Sequence, residues 1–387
     1  MRIMVLCHPP SLDSQSMPLF ANMIAEAMRS RGHSVTVETA RSVLQRFATS
    51  STLLKKWLRY IDQFLLFPVV FLLGGRRRQA DVYVFTDQAL GLWVPLVRGL
   101  PHVIHCHDFL ALRSALGEIP QNPTSLTGQV YQRWIRWGFC QGLNFISISR
   151  RTRSELARFL SKVPVRSEVV NNALNYPYRP LDEREATQRL AEVVKYGLGR
   201  GFILHVGGNQ WYKNRPGVLQ IYEAYCRSNA SPLPLLMIGA AATESMREQA
   251  RRAKALAGHV HFVEKPPVEF LEAAYSRASV LLYPSIAEGF GWPIIEAMAC
   301  GCLVLTTDDE PMTEIGSSIA RYLPTMSDCQ SADWAQECAR RLDQVLALPA
   351  DERRRVRAAG LAHADGFSMT TKCLAYESIY IDVAGMK

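Results

Sequence analysis

The sequence predicts an α/β protein built of two doubly wound, parallel-sheet domains in tandem. Three observations carry this expectation. The chain has 387 residues, more than one ordinary hydrophobic core supports and comfortable for two. Short apolar runs alternate with stretches of helical apolar spacing almost throughout, the signature of βαβ units. The rhythm breaks once, over residues 172–200, and then restarts.

In chain order, Arg2–Cys7 reads as a buried strand, and Met17–Arg31 repeats its apolar residues at helical spacing. Asp81–Phe85 (DVYVF), His102–His105 (HVIH) and Phe145–Ile148 (FISI) read as further strands, the last followed by a helix over Arg151–Leu160. NALNYPYRPLDERE then runs into a cluster of Gly197, Gly199 and Gly201. The second series is FILHVGG, LPLLMIG, HVHFVE, VLLYPS and CLVLTT, each followed by a helical or turn stretch. The expected organisation is an N-terminal domain over 1–175, a linker over 176–200, a second domain over 201–366, and a C-terminal segment over 367–387. Ligands of such sheets bind beyond the carboxyl ends of the strands, so a cleft between the domains is the expected site.

Composition narrows the class. Nearly half of the residues are hydrophobic and a fifth are charged, as in a globular protein without low-complexity tracts. Nine scattered cysteines form no CxxC pair, which suits reduced thiols in a cytosolic protein better than a disulfide framework. The opening MRIMVLCHPP lacks the small-residue cleavage site of a signal peptide. The net charge of +9 is compatible with nucleic acid, an anionic membrane surface or a phosphorylated ligand. Within Leu53–Arg78 the apolar core Phe64–Leu73 is about half the length needed to span a bilayer and contains Pro68. Two readings remain open there: a helix packed in the N-terminal core, or a peripheral membrane contact with Lys55, Lys56, Arg59 and Arg76 to Arg78 at lipid phosphates.

The most informative stretch is YPSIAEGFGWPIIEAMACGCLVLTTDDE, Tyr283–Glu310. It leaves a strand and enters a helix whose first turn holds Pro293 and whose end is marked by Gly301. The Gly-Phe-Gly-Trp amides before that helix, with its dipole, make a cradle for an anion such as a diphosphate. Glu288 and Glu296 are poorly suited to phosphate but well suited to accept hydrogen bonds from sugar hydroxyls. The plainer alternative is a loop residue and a solvated helix acid.

E-G-F-G-W-P-I-I-E, with the surrounding YPS…EGFG.P..EAMA.G…L and the later EIG at Glu314–Gly316, resembles the E-x7-E signature of the family 4 retaining glycosyltransferases of the GT-B fold. RIMVLCH, RGHSV, TDQ, HCHD, NNAL, VGGNQWYKN and an aromatic-rich final helix over Phe367–Tyr380 extend the resemblance along the whole chain. The resemblance implies two Rossmann-like domains facing a cleft, the first on the acceptor side and the second holding a nucleotide-sugar donor. It implies that Glu296 holds the ribose hydroxyls, that Glu288 lies near the transferred sugar, and that the amides of Gly289, Phe290 and Gly291 contact sugar or diphosphate. Lys213 is expected to neutralise the leaving diphosphate, with a surface lysine as the alternative. An arginine usually precedes this lysine in the family; here Asn209 or Gln210 occupies that region, and Arg215 lies just beyond.

His107 matches a histidine that the family places near the donor sugar, and with Asp108 it forms the remaining catalytic candidate. The alternatives for His107 are a packed histidine, or a metal pair with His105 on the same strand face. No third ligand and no D-x-D motif accompany them, since Asp308 and Asp309 are adjacent, so no metal and no other cofactor are expected. In the loop His8–Phe20, where the family carries a glycine pair, Ser14 and Ser16 are the candidates on the acceptor side.

The resulting expectation is transfer of a hexose, of mannose or glucose type, from a nucleotide diphosphate sugar to a glycan or lipid-linked acceptor in surface polysaccharide synthesis. Retention of configuration is implied, at a cytoplasmic or peripheral inner-membrane location and without nucleic acid as partner. The alternatives are a sugar-nucleotide epimerase of the same fold and a non-catalytic nucleotide- or nucleic-acid-binding protein.

Overall fold

The computed structural model describes residues 1–9, 16–44, 47, 52–191, 198–253, 256, 258–326 and 332–385. The chain forms two compact units, Met1–Asn175 with Met369–Lys387, and Tyr176–Ser368.

The first unit holds a six-stranded, wholly parallel sheet of β1 (Arg2–Leu6), β2 (Ser34–Glu38), β3 (Val82–Phe85), β4 (His102–Cys106), β5 (Asn144–Ser147) and β6 (Arg166–Val169), in the order β2-β1-β3-β4-β5-β6. Side chains alternate across it. Met4, Leu6, Tyr83 and Phe85 enter one buried cluster and Ile3, Val5, Val82 and Val84 the other. Both faces are covered by helices, which is why the central strands read as unbroken apolar runs. On one face lies the helix Met369–Ala384, whose Tyr380 Oη sits 2.7 Å from His105 Nε2 and whose Glu377 meets Arg31 and His33.

The stretch Leu53–Arg78 is helical from Thr52 to Ile61, passes through a π-helical turn at Asp62–Leu66, and continues as the helix Phe67–Leu73. Pro68 is tolerated because it falls in the first turn after the π-turn, where its missing N–H costs little. Asp62, Gln63, Phe67 and Phe71 are buried; the opposite side is exposed. No helix among the described residues is long and apolar enough to cross a membrane.

The second unit carries β7 (Ile203–Gly207), β8 (Leu235–Gly239), β9 (Val260–Glu264), β10 (Val280–Tyr283), β11 (Val304–Thr307) and β12 (Arg321–Leu323), again all parallel, in the order β12-β11-β10-β7-β8-β9. Counted from β7, this is the 3-2-1-4-5-6 order of a dinucleotide-binding sheet. Its core joins Ile203, Leu235, Met237, Val280 and Leu282 to the helices Arg215–Ser228 and Ala332–Leu346.

Residues 176–200, expected as a linker, need a correction over their first part. Glu183–Ala191 is a helix, and Arg189 pairs with Glu272 at 2.9 Å while Ser276 Oγ accepts from Leu181 N at 3.1 Å. Ion pairs fasten this helix to Val268–Arg277, so the stretch up to Ala191 is a folded part of the second unit.

Candidate active site

In the second unit the strand order reverses between β7 and β10, which pair through Ile203 with Val280 and Leu204 with Leu281. The connections leaving these two strands run to opposite sides, and the crevice they leave at the carboxyl edge is where open α/β sheets hold ligands. Gly207 ends β7 and Tyr283 ends β10, so the loops 208–214 and 284–291 frame this crevice.

The two loops are tied to each other by one side-chain and one backbone hydrogen bond. Asn214 Nδ2 donates to the Pro284 carbonyl at 3.0 Å, and Ile286 N donates to the Tyr212 carbonyl at 2.8 Å. Asn214 adopts a left-handed conformation (φ 51°) and its Oδ1 accepts from Gly217 N at 3.2 Å, capping the helix Arg215–Ser228. One buried asparagine thus starts the helix and locks the neighbouring loop. Gly239 ends β8 beside Gly207, where a Cβ would stand 2.0 Å from the Gly207 carbonyl oxygen. Only glycine permits that approach.

Lys213 and Glu288 meet in the crevice. Lys213 Nζ donates to Glu288 Oε1 at 2.8 Å and Oε2 at 3.0 Å, and to Tyr283 Oη at 2.7 Å. Tyr283 Oη in turn donates to Glu288 Oε1 at 2.5 Å. Glu288 is 7% exposed and Lys213 17%. Burial, and then the adjacent Glu288 carboxylate, push the Tyr283 hydroxyl well above its usual range, so it stays a donor at any physiological pH.

After Glu288, Gly291 caps the helix Trp292–Ala299 at φ 92°, with Pro293 in the first turn. The helix ends with Gly301 at φ 72°: Gly301 N reaches the Met298 carbonyl and Cys302 N the Ala297 carbonyl, a Schellman closure. Phe290 turns its ring inward against Trp292 and Phe367, which leaves its backbone as the part able to face a ligand. Glu296 is buried on this helix and accepts from Tyr275 Oη at 2.8 Å. Burial and the Glu296 charge raise the Tyr275 hydroxyl well above its usual value, so this tyrosine too remains a donor.

Beneath the 208–214 loop lies Arg215, the residue just beyond the position where the family usually carries its arginine. Arg215 is 2% exposed. Its Nη1 donates to Asn209 Oδ1 and, at 2.8 Å, to the Ala240 carbonyl, while Nε and Nη2 have no partner. No carboxylate pairs with it among the described residues, and burial lowers its pKa. His205, fully buried on β7, has its Nδ1 3.0 Å from the Leu282 carbonyl and an unpartnered Nε2. Burial, with Arg215 and Lys213 nearby, brings its pKa to about 3, so it is neutral. The carboxyl edge of β7 therefore carries two cations, of which only Lys213 has an acid. Asn209 is engaged on both sides of its amide, by Arg215 and by the Ala241 carbonyl at 2.8 Å.

In the first unit the order reverses between β1 and β3. His8, just after β1, has its Nε2 3.0 Å from Asp87 Oδ2, just after β3. Burial opposes ionisation of Asp87, but the hydrogen bond from His8 and the nearby His8 and His107 rings hold its pKa below the usual value. Sequence reasoning missed this pair, because two residues 79 apart carry no local pattern. His107 is buried, its Nε2 2.9 Å from the Thr86 carbonyl and its ring edge-on to Phe20 at 4.6 Å. A carbonyl partner places the proton on Nε2 and leaves Nδ1 as an acceptor, and burial keeps the ring neutral. Asp108 Oδ1 accepts from Leu110 N at 3.0 Å at the start of the helix Leu110–Ala115. His105 is taken up by Tyr380, and no group of three or more metal-ligating side chains stands together among the described residues. Ser14 lies outside the described residues; Ser16 opens the helix Ser16–Ser30, and its side chain is likewise outside them.

Residues 189–361 match the family described as Glycosyl transferases group 1. O-antigen chain mannosyltransferase B of Escherichia coli is 29% identical over 176 residues, which is 44% of this chain and 44% of that protein. The sucrose-phosphate synthase of Thermosynechococcus elongatus superposes with a TM-score of 0.74 at 18% identity, over 100% of this chain and 99% of that one. HepE of Anabaena, solved with UDP and glucose, superposes with a TM-score of 0.70 at 16% identity, over 98% of each chain. At these identities the structural likeness shows the GT-B fold.

Proposed function

We propose, from the match of residues 189–361 to the Glycosyl transferases group 1 family, that the chain transfers a hexose from a nucleotide diphosphate sugar to a glycan acceptor. The observation that carries this reading is the position of Lys213 and Glu288 at the β7/β10 reversal, bonded to each other across the crevice. An ammonium at that point neutralises a diphosphate as it departs, and a carboxylate at that point accepts from sugar hydroxyls. The unpaired Arg215 guanidinium and the N-terminus of the helix it starts add positive potential beneath the same loop. Glu296, held by Tyr275, is the acceptor for the ribose hydroxyls.

The step breaks the bond between the sugar C1 and the diphosphate oxygen and forms a bond from C1 to an acceptor oxygen. The acceptor's proton passes to the departing phosphate oxygen, and attack comes on the face that the phosphate leaves, so configuration is retained. Lys213 bonds both Glu288 oxygens. The Lys213 ammonium is placed to be shared between a diphosphate and the Glu288 carboxylate, which leaves a carboxylate oxygen for the sugar hydroxyls. The relative named for mannosyl transfer in O-antigen chains supports mannose as the sugar and a surface polysaccharide as the product.

The test is thermal stabilisation by a panel of nucleotides and nucleotide sugars. A ligand at about 100 times its dissociation constant adds about 2.7 kcal/mol to the folded state. One nucleotide class is expected to raise the melting temperature of the wild type, and Glu296→Ala to abolish most of that rise. Equal stabilisation of both proteins removes Glu296 from the ribose site, and no stabilisation by any nucleotide overturns the proposed function.

A further inference from the structure

We infer that the outer faces of two neighbouring helical elements of the first unit, Thr52–Leu73 and Leu126–Phe139, form one docking surface for an anionic lipid bilayer. This inference is independent of the proposed chemistry. Along the first element Trp57, Ile61, Leu65 and Val69 recur every four residues and all face out, Trp57 at 56% and Leu65 at 63% exposure. Along the second, Leu126, Val130, Trp134 and Trp137 follow the same helical spacing, with the two tryptophans 61% and 60% exposed. A stripe at helical period faces a core when a helix packs in a globular protein. Here the stripes face away from the core.

The other side of each element explains why. Trp93 Nε1 donates to the Gln63 carbonyl at 2.9 Å, and Phe67 stacks near Trp93 at 4.2 Å, so the first element has a separate buried face. Gly138 presses on Gly91 so closely that a Cβ on Gly138 would stand 2.2 Å from the Gly91 carbonyl oxygen, so the second element is seated backbone to backbone. Tyr131 then bridges the two, with ring centroids 5.5 Å from Tyr60 and 5.6 Å from Phe64. Neither stripe can rotate inward without breaking these contacts. Two apolar bands on adjoining helices exceed the scattered exposure usual for a soluble surface.

Charge selects the occupant. Residues 52–78 contain six basic side chains and one acid, Asp62, and residues 126–139 contain two basic side chains and no acid. Asp62 is buried and accepts from Leu44 N at 2.9 Å, so it does not offset the outward charge. Lys55, Arg77, Arg78 and Arg133, on or next to the two elements in sequence, are exposed. Tryptophan beside an apolar band with basic neighbours is the composition favoured at the membrane–water boundary. A protein partner of matching shape would need no such excess of one sign. No described helix is long enough to span, so the surface lies in the interface plane.

The experiment is sedimentation of the full chain with vesicles of phosphatidylglycerol mixed with phosphatidylcholine, against vesicles of phosphatidylcholine alone. The wild type is expected to partition at least about tenfold more strongly onto the anionic vesicles, with a blue shift of tryptophan emission and weakening as salt rises. Trp134→Ser with Trp137→Ser is expected to cut binding at least about tenfold at an unchanged melting temperature. Arg77→Gln with Arg78→Gln is expected to reduce the preference for anionic vesicles while leaving nucleotide binding intact. Wild type that stays in solution with both vesicles overturns the inference, as does a tryptophan double variant that sediments like the wild type. A wild-type dimer that the tryptophan variant converts to monomer also overturns it, because the bands then belong to a second copy of this chain.

Discussion

Arg215 sets the residue-scale problem most sharply. A buried cation without a counter-charge costs several kcal/mol, and replacing such a group by an apolar residue of similar size is often neutral or stabilising. Arg215→Met is therefore expected to leave the melting temperature unchanged or raised, and to weaken binding of nucleoside diphosphates at least about tenfold while sparing nucleosides. Calorimetric titration with the two ligand classes separates these effects; a lowered melting temperature with unchanged diphosphate affinity assigns Arg215 to structure alone. At this scale the sequence was informative where chemistry is local. Glu288, Glu296 and Lys213 stand out as candidates from short spacings and strand ends, and the structure brings Lys213 and Glu288 into one ion pair. It was uninformative where partners are distant. His8 with Asp87, and Tyr275 with Glu296, meet through the fold and leave no mark on their neighbours in sequence.

At the scale of elements, the strands that apolar patterning found are mostly central, and the three it passed over, β2, β6 and β12, are edges. SVTVE, RSEV and RYL each carry charge or polarity, because an edge strand faces water on one side and is protected from further pairing by that polarity. The stretch from Thr52 to Leu73 shows another limit: its apolar content was clear, but only the folded structure tells which side is buried. The C-terminal helix Met369–Ala384 owes part of its seat on the first unit to Glu377, which accepts from Arg31 Nε at 2.6 Å and lies 2.7 Å from His33 Nε2. Burial opposes its charge, yet the hydrogen bonds from His33 and Arg31 prevail and hold its carboxyl below the ordinary value of 4.5. A depressed carboxyl stabilises the fold above its unfolded pKa and loses that contribution as pH falls through the folded value. Glu377→Gln is accordingly expected to cost about 1–2 kcal/mol at neutral pH. The deficit should shrink toward zero below about pH 4, and denaturant midpoints across that range check it. A deficit that persists in acid assigns the residue's role to shape, not charge.

At the scale of the whole molecule, two parallel sheets of six strands follow from the alternation of apolar runs and amphipathic helices, and the break near residue 172 marks where one series gives way to the other. The break misled only in its extent: the charged residues up to Ala191 are folded onto the second unit, because a helix fastened by ion pairs looks polar in sequence. The positive net charge, ambiguous in the sequence, falls in separate places in the structure, with Lys213 and Arg215 at the β7 edge and further basic residues along the two outward helices of the first unit. The β7/β10 reversal is proposed to serve hexose transfer. It is tested most directly by incubating the full chain with labelled GDP- and UDP-hexoses and a glycan acceptor, then following the label, the free nucleotide and the anomeric configuration of the product. Label in the glycan, an equal amount of nucleoside diphosphate, a retained configuration and a loss of about 100-fold or more in Lys213→Ala are predicted. Nucleotide release without labelled glycan, or a product of inverted configuration, would contradict it.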